Sequence, residues 1–141
     1  MEVAKDIGDL STFVLAVDRA GLVDTLNGEG PFTVFAPVNN GWSQYEKDLI
    51  LKPEKQEELK EILLNHVIPK LIKVKDFPNE STVLETAGKD DICVTPYDDG
   101  RFGIAAKGGD TFLLTTDVAA RNGVIHTVDY VYEPTLSQCS D

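Results

Sequence analysis

Apolar positions change period about halfway along the chain, and that change sets the reading. Leu10, Phe13, Val14 and Val17 recur at the i, i+3, i+4, i+7 spacing of one helical face, with Asp9 placed to cap the start and Gly21 to stop it. Leu22, Val23 and Leu26 add a short apolar turn before Asn27-Gly28-Glu29-Gly30 breaks the pattern. Gly30-Pro31 then opens a short strand over Phe32 to Ala36, and Pro37, which has no N–H for a ladder, closes it. Asn39 and Asn40 can cap a helix after the proline, and Trp42 stands about one turn further on. Tyr45, Leu49, Ile50 and Leu51 suggest another short helix. Pro53 opens a better one, with Glu54, Glu57 and Glu58 at its positive end and Leu59, Ile62, Leu63 and His66 on one face. Pro69 prevents its continuation.

Beyond residue 72 the period becomes that of strands. Val83 to Ala87, Ile92 to Tyr97, Arg101 to Ala106, Thr111 to Thr116 and Val124 to Tyr132 each read as a strand, separated by Gly- and Asp-rich turns. Such close spacing calls for antiparallel hairpins. Helices first and a meander of strands afterwards make the fold class α+β. In the last strand Val124, His126, Val128, Tyr130 and Tyr132 share one face, and Ile125, Thr127, Asp129 and Val131 the other. Both faces carry apolar residues, so the strand is expected to be covered on both sides.

Charge narrows the classes of partner. Thirteen basic against 24 acidic residues give −11, which repels phosphate and argues against nucleic acid. The 42% apolar and 26% charged fractions describe an ordinary globular, acidic protein. The longest apolar run is the five residues Phe13 to Val17, too short to span a bilayer, so no transmembrane segment is expected. Met1 is followed by Glu2 and no apolar stretch, so no signal peptide is expected in this sequence, and the protein reads either as intracellular or as one whose signal is removed. Two features favour a secreted origin all the same: Asn79-Glu80-Ser81 is a glycosylation acceptor, and the two cysteines, Cys93 and Cys139, allow one bridge. That bridge would close about 47 residues, worth ~4 kcal/mol in the chain-entropy model. A plain buried thiol is the other reading of Cys93.

Catalytic groupings are not legible. The two histidines, His66 and His126, sit on apolar faces without a serine or cysteine at a nucleophile spacing, and both read as neutral core histidines that acid would destabilise. Gly28-Glu29-Gly30-Pro31 lacks the length and lysine of a phosphate loop. Asp90-Asp91 and Asp98-Asp99-Gly100 lack the alternating ligands of a calcium loop and are explained as turns, so no metal site and no enzyme activity are expected.

Three motifs in order carry a family resemblance. Thr33-Val34-Phe35-Ala36-Pro37, with Gly30-Pro31-Phe32 before it and Asn39 and Trp42 after it, resembles the first box of the fasciclin (FAS1) domain. Asn122-Gly123-Val124-Ile125-His126-Thr127-Val128-Asp129, preceded by Asp117-Val118, resembles the second. Leu63-Leu64-Asn65-His66-Val67-Ile68-Pro69 lies where that family has its tyrosine-histidine motif. The resemblance covers residues 3 to 134, and implies one fasciclin-like domain over 1–134 with a tail at 135–141. It also implies a wedge of antiparallel-rich β-sheet packed with several N-terminal and central α-helices, the two boxes running as adjacent central strands.

On that resemblance, Thr33, Phe35, His66, Asp117, Asn122, His126 and Asp129 are structural motif residues. The implied function is an extracellular, secreted or cell-surface (or periplasmic) adhesion and protein-binding module. It would be non-enzymatic and without cofactor, with a matrix or cell-surface protein or glycan as partner. The alternative is a soluble carrier of an apolar molecule such as a carotenoid, held beside the two boxes. Contact is expected at Pro37, Val38, Asn39, Asn40 and Trp42, together with Asn65. Three of these and the neighbouring Gly41 depart from the family pattern: Val38 for threonine or serine, Gly41 for alanine, Trp42 for phenylalanine and Asn65 for tyrosine. No Arg-Gly-Asp sequence is present, so an integrin reading has no direct support.

Overall fold

The computed structural model describes residues 10–28, 30–77, 80–88, 90–97, 101–105, 111–120 and 123–132. It is α+β, with a helical layer, a central four-stranded sheet and a second four-stranded sheet. The helical part comprises α1 (Ser11–Arg19), α2 (Val23–Asn27), α3 (Gln44–Leu51) and α4 (Gln56–Leu64). Helix α1 buries Phe13, Ala16 and Val17 as the spacing predicts, and Leu10 is buried at its start.

The end of α1 depends on Gly21, whose φ of 75° suits glycine. There Gly21 N–H bonds to Asp18 O at 3.1 Å and Leu22 N–H to Val17 O at 3.0 Å, closing the last carbonyls as a Schellman motif does. Its start differs from expectation. Asp9 lies outside the described residues, and Leu10, at the N-cap position, offers no side-chain bond. Helix α3 is capped by Ser43, which makes a reciprocal capping box with Glu46, and not by Asn39 or Asn40.

The first sheet runs β2 (Val67–Ile68), β1 (Phe32–Pro37), β8 (Gly123–Val128), β7 (Val118–Ala120). Strands β1 and β8 are adjacent and parallel, pairing from Phe32 with Gly123 to Pro37 with Val128. The two boxes are thus neighbours, as the family resemblance implies, and the other pairs are antiparallel. Gly123 lets this pair begin, since a Cβ there would lie 1.9 Å from Phe32 O. The second sheet runs β3 (Thr82–Leu84), β4 (Ile92–Pro96), β5 (Phe102–Ile104), β6 (Thr111–Phe112).

Several strands are shorter than the sequence suggests. The last one ends at Val128 and not at Tyr132, because Val131 N–H turns to bond Gly41 O at 3.1 Å. Strand β7 has no counterpart in the sequence pattern: it is three residues long, with two alanines, a weak strand former.

Alternation along β1 and β8 divides the core. Val34, Ala36 and Ile125 join Leu10, Phe13, Leu49, Leu59 and Leu63 on the helical side. Phe35 and Val128 join Ile68, Ile92, Val94 and Ile104 toward the second sheet. The last strand is therefore covered on both faces, as its pattern predicts.

Candidate functional site

Where β1 and β8 end side by side, their exits are bonded into one corner. Val38 N–H bonds to Val128 O at 3.0 Å, Gly41 N–H to Val38 O at 2.9 Å, and Val131 N–H to Gly41 O at 3.1 Å. A Cβ at Gly41 would lie 2.3 Å from Asp129 O and 2.9 Å from Tyr130 Cα, so the two backbones touch where a side chain would have stood. Asp129 adds a further tie, its Oδ1 accepting from Phe112 N–H at 3.0 Å across to the second sheet.

The corner residues divide sharply in their exposure to solvent. Pro37 is buried and Val38 half-buried. Trp42 is 4% exposed in the helical-side core, and its Nε1 finds no hydrogen-bond partner among the described residues. Asn39 is half-buried and works for another element: its Oδ1 accepts from Thr12 N–H at 2.9 Å and its Nδ2 donates to Ser11 Oγ at 3.0 Å. It is the missing cap of α1, delivered across 27 residues of sequence. Asn40 alone of these positions is exposed. Tyr130, whose Cα abuts Gly41, is 58% exposed; alternation assigns it to a strand face, and no sequence signal marks it as a contact residue.

Asn65 lies elsewhere and is buried. Its Oδ1 accepts from Asp90 N–H at 3.2 Å, and its carbonyl accepts from the Tyr132 hydroxyl at 3.0 Å. The turn fits around it because residue 88 is glycine, where a Cβ would come within 2.2 Å of Asn65 Oδ1.

Both histidines are fully buried, and both have their tautomers fixed by backbone groups. His66 Nδ1–H donates to Ile62 O at 2.8 Å and its Nε2 accepts from Tyr132 N–H at 3.3 Å, while the two rings stack at 3.8 Å. Burial pushes its pKa down from 6.5 to about 4, the Ile62 bond opposing weakly. Burial likewise pushes the Tyr132 phenol well up. His126 Nε2–H donates to Ile72 O at 2.8 Å, and its Nδ1 accepts from Asp117 N–H at 3.0 Å. Burial lowers this pKa also, against the Ile72 bond and the Asp117 charge.

Thr33 completes the network. Its buried hydroxyl donates to Lys70 O at 2.6 Å and accepts from Ile72 N–H at 2.8 Å, so Ile72 links the two motif strands. Phe35 packs its ring 5.6 Å from that of His126. Asn122, Asn79 and Cys139 lie outside the described residues. Cys93 is buried and disulfide-bonded. Among the described residues no cluster of His, Cys, Asp and Glu could hold a metal, and no helix is long and apolar enough to cross a membrane.

A helix-backed sheet whose two central strands run parallel and end in one locked corner defines the class of fold, and similarity then supplies the family. The Fasciclin domain family model matches residues 8–134, and the chain belongs to that family. It is 35% identical over 139 residues to Protein sll1483 of Synechocystis, covering 96% of this chain and 73% of that protein. It is 30% identical to the pig transforming growth factor-beta-induced protein ig-h3, of which it spans only 19% while 95% of this chain is covered. Among solved structures, the FAS1 domain pair of the insect cell adhesion molecule Fasciclin I superposes with a TM-score of 0.71. The identity there is 20%, covering 90% of this chain and 46% of that one, so this likeness bears on fold alone.

Proposed function

We propose that the chain is a non-enzymatic adhesion or protein-interaction module that works outside the cytoplasm and meets its partner at the corner formed by Asn40 and Tyr130. The observation that carries this reading is an exposed tyrosine whose backbone abuts Gly41, the neighbour in sequence of the exposed Asn40. A rigid aromatic on a fixed frame contributes contact area with little ordering cost, which is why tyrosine is common among interface anchors. The net charge of −11 favours a basic matrix or cell-surface protein, with binding that weakens as salt rises. The fold shared with a cell adhesion molecule supports the class. A disulfide-bonded Cys93 supports an oxidising compartment. Cys139 as its partner and a glycan at Asn79 belong to the same reading, and an intact mass before and after reduction and deglycosylation checks both.

The experiment for the corner is retention on an immobilised cell-surface extract of the organism that makes the protein, comparing wild type with Tyr130→Ala and Asn40→Ala. The expected result is retention by wild type, a loss of about tenfold or more for Tyr130→Ala, and unchanged unfolding midpoints. Retention of both variants at the wild-type level overturns the placement of the site. Failure of wild type to be retained overturns the adhesion reading.

A further inference from the structure

We propose that His126 and Asp117 form an acid-operated latch that holds the edge strand β7 and its entry loop against the first sheet. Strand β7 pairs with β8 at only three positions, Val118 with Ile125, Ala119 with Val124 and Ala120 with Gly123, and it is the outermost strand. The loop before it is pinned at Leu114 and Thr115, whose N–H groups bond to Thr127 O and Thr127 Oγ1 at 2.8 Å each. Between those bonds and the strand, Asp117 N–H bonds to His126 Nδ1. Asp117 holds a φ of 59°, a left-handed backbone that a residue with a Cβ adopts at some cost, so a bond to its N–H helps keep it there.

The bond depends on a bare lone pair at Nδ1. Because Nε2–H is committed to Ile72 O, a second proton on the ring must go to Nδ1 and face the Asp117 N–H, donor against donor. The proton has a better partner close by. Asp117 Oδ1 lies 3.9 Å from Nδ1, close enough to pair with a charged ring, on a side chain that is 43% exposed. Acid therefore exchanges an N–H(Asp117)→Nδ1 bond for Nδ1–H→carboxylate, releasing the strained backbone. Among the described residues the other surroundings of the ring are uncharged: Phe35 from β1, Phe77 from the 74–77 turn at 5.4 Å, and the Ile72 carbonyl. Among the described residues Asp117 is the one charged group acting on it. His66 meets backbone groups and Tyr132, and among the described residues no carboxylate acts on it, so its protonation opposes the whole fold and not one loop.

Opening the latch uncovers the β8 backbone edge at 123–125, a surface to which another strand could add. Amide hydrogen exchange from pH 7 to 4, corrected for intrinsic rates, tests the latch alongside the ring ¹⁵N shifts of His126. The expected result is a fall in protection at 117–119 in step with His126 protonation, about tenfold or more beyond the decline that the loss of global stability imposes on β1 and α4. In Asp117→Asn, which keeps the N–H and tolerates the left-handed backbone, both midpoints move to lower pH by about half a unit or more. A fall at 117–119 no larger than that in β1 and α4, or an unshifted profile in Asp117→Asn, overturns the proposal.

Discussion

Lowering the pH places a charge on His66, and the structure fixes the sign of the effect and gives its order of magnitude. The ring is fully buried, its Nδ1–H is spent on Ile62 O, and its Nε2 accepts the Tyr132 N–H. A second proton at Nε2 turns that acceptor into a donor and buries an ion against a stacked phenol ring. A folded-state pKa of about 4, below the ordinary 6.5, means that the folded protein prefers the neutral ring. The stabilisation is therefore complete above pH 6.5 and is lost as pH falls from 6.5 toward 4. The gap corresponds to about 3 kcal/mol, a large part of the roughly 5–15 kcal/mol that holds a typical domain. Urea unfolding at intervals from pH 7 to 4 measures it, comparing wild type with His66→Gln, which does not titrate; wild type should lose about 3 kcal/mol more than the variant. The ring ¹³C–H signal of folded wild type supplies a second reading that needs no variant, with a midpoint expected near 4. A midpoint near 6.5 together with pH-independent stability would refute the reasoning.

Three substitutions test the corner and the network beneath it. Asn39→Ala removes the cap that α1 receives from a distance and should cost about 1 kcal/mol in urea unfolding; unchanged stability would show that the bonds to Ser11 and Thr12 contribute nothing net. Gly41→Ala drives a Cβ into Asp129 O and should cost roughly 1–3 kcal/mol while disturbing the Tyr130 signals in an NMR spectrum. A wild-type spectrum and melting curve would count against the close approach. Thr33→Val keeps the shape but strands Ile72 N–H and one bond to Lys70 O, and should lose about 1–3 kcal/mol. No loss would mean that water replaces the hydroxyl without penalty.

Features encoded in the side-chain pattern could be read directly from the chain. Helix α1, the inward histidines and the doubly covered last strand are all set by the spacing of apolar residues, because burial and spacing share one geometry. Partners distant in sequence are not. Asn39 has the side chain of a cap and stands just before a helix, yet Ser43 caps that helix and Asn39 serves α1. Trp42 sits in a short corner with no period to assign it a face, and its size there suggested a contact while its ring in fact belongs to the core. Strand β7 has little side-chain signature, since Ala119 and Ala120 pair through their backbones. The adjacency of β1 and β8 came only with the family resemblance and their parallel direction only with the structure, as alternation gives each strand two faces and says nothing of its neighbour.

The segment from Asp129 to Tyr132 explains why the exposed corner and the buried histidine should respond together. Val131 N–H bonds outward to Gly41, and the next residue, Tyr132, bonds inward to His66 and Asn65. The two attachments sit on consecutive residues, so Tyr132 cannot shift far without pulling on Val131 and on the exposed Tyr130 before it. The coupling is physical and short, through consecutive peptide units whose bond geometry is stiff. A substitution at His66 that leaves the protein folded should therefore alter the Tyr130 environment as well as acid stability. Conversely, a partner that grips Tyr130 should tighten the His66–Tyr132 contact and lower the pH at which His66 takes up its proton, because linkage between the two events is reciprocal.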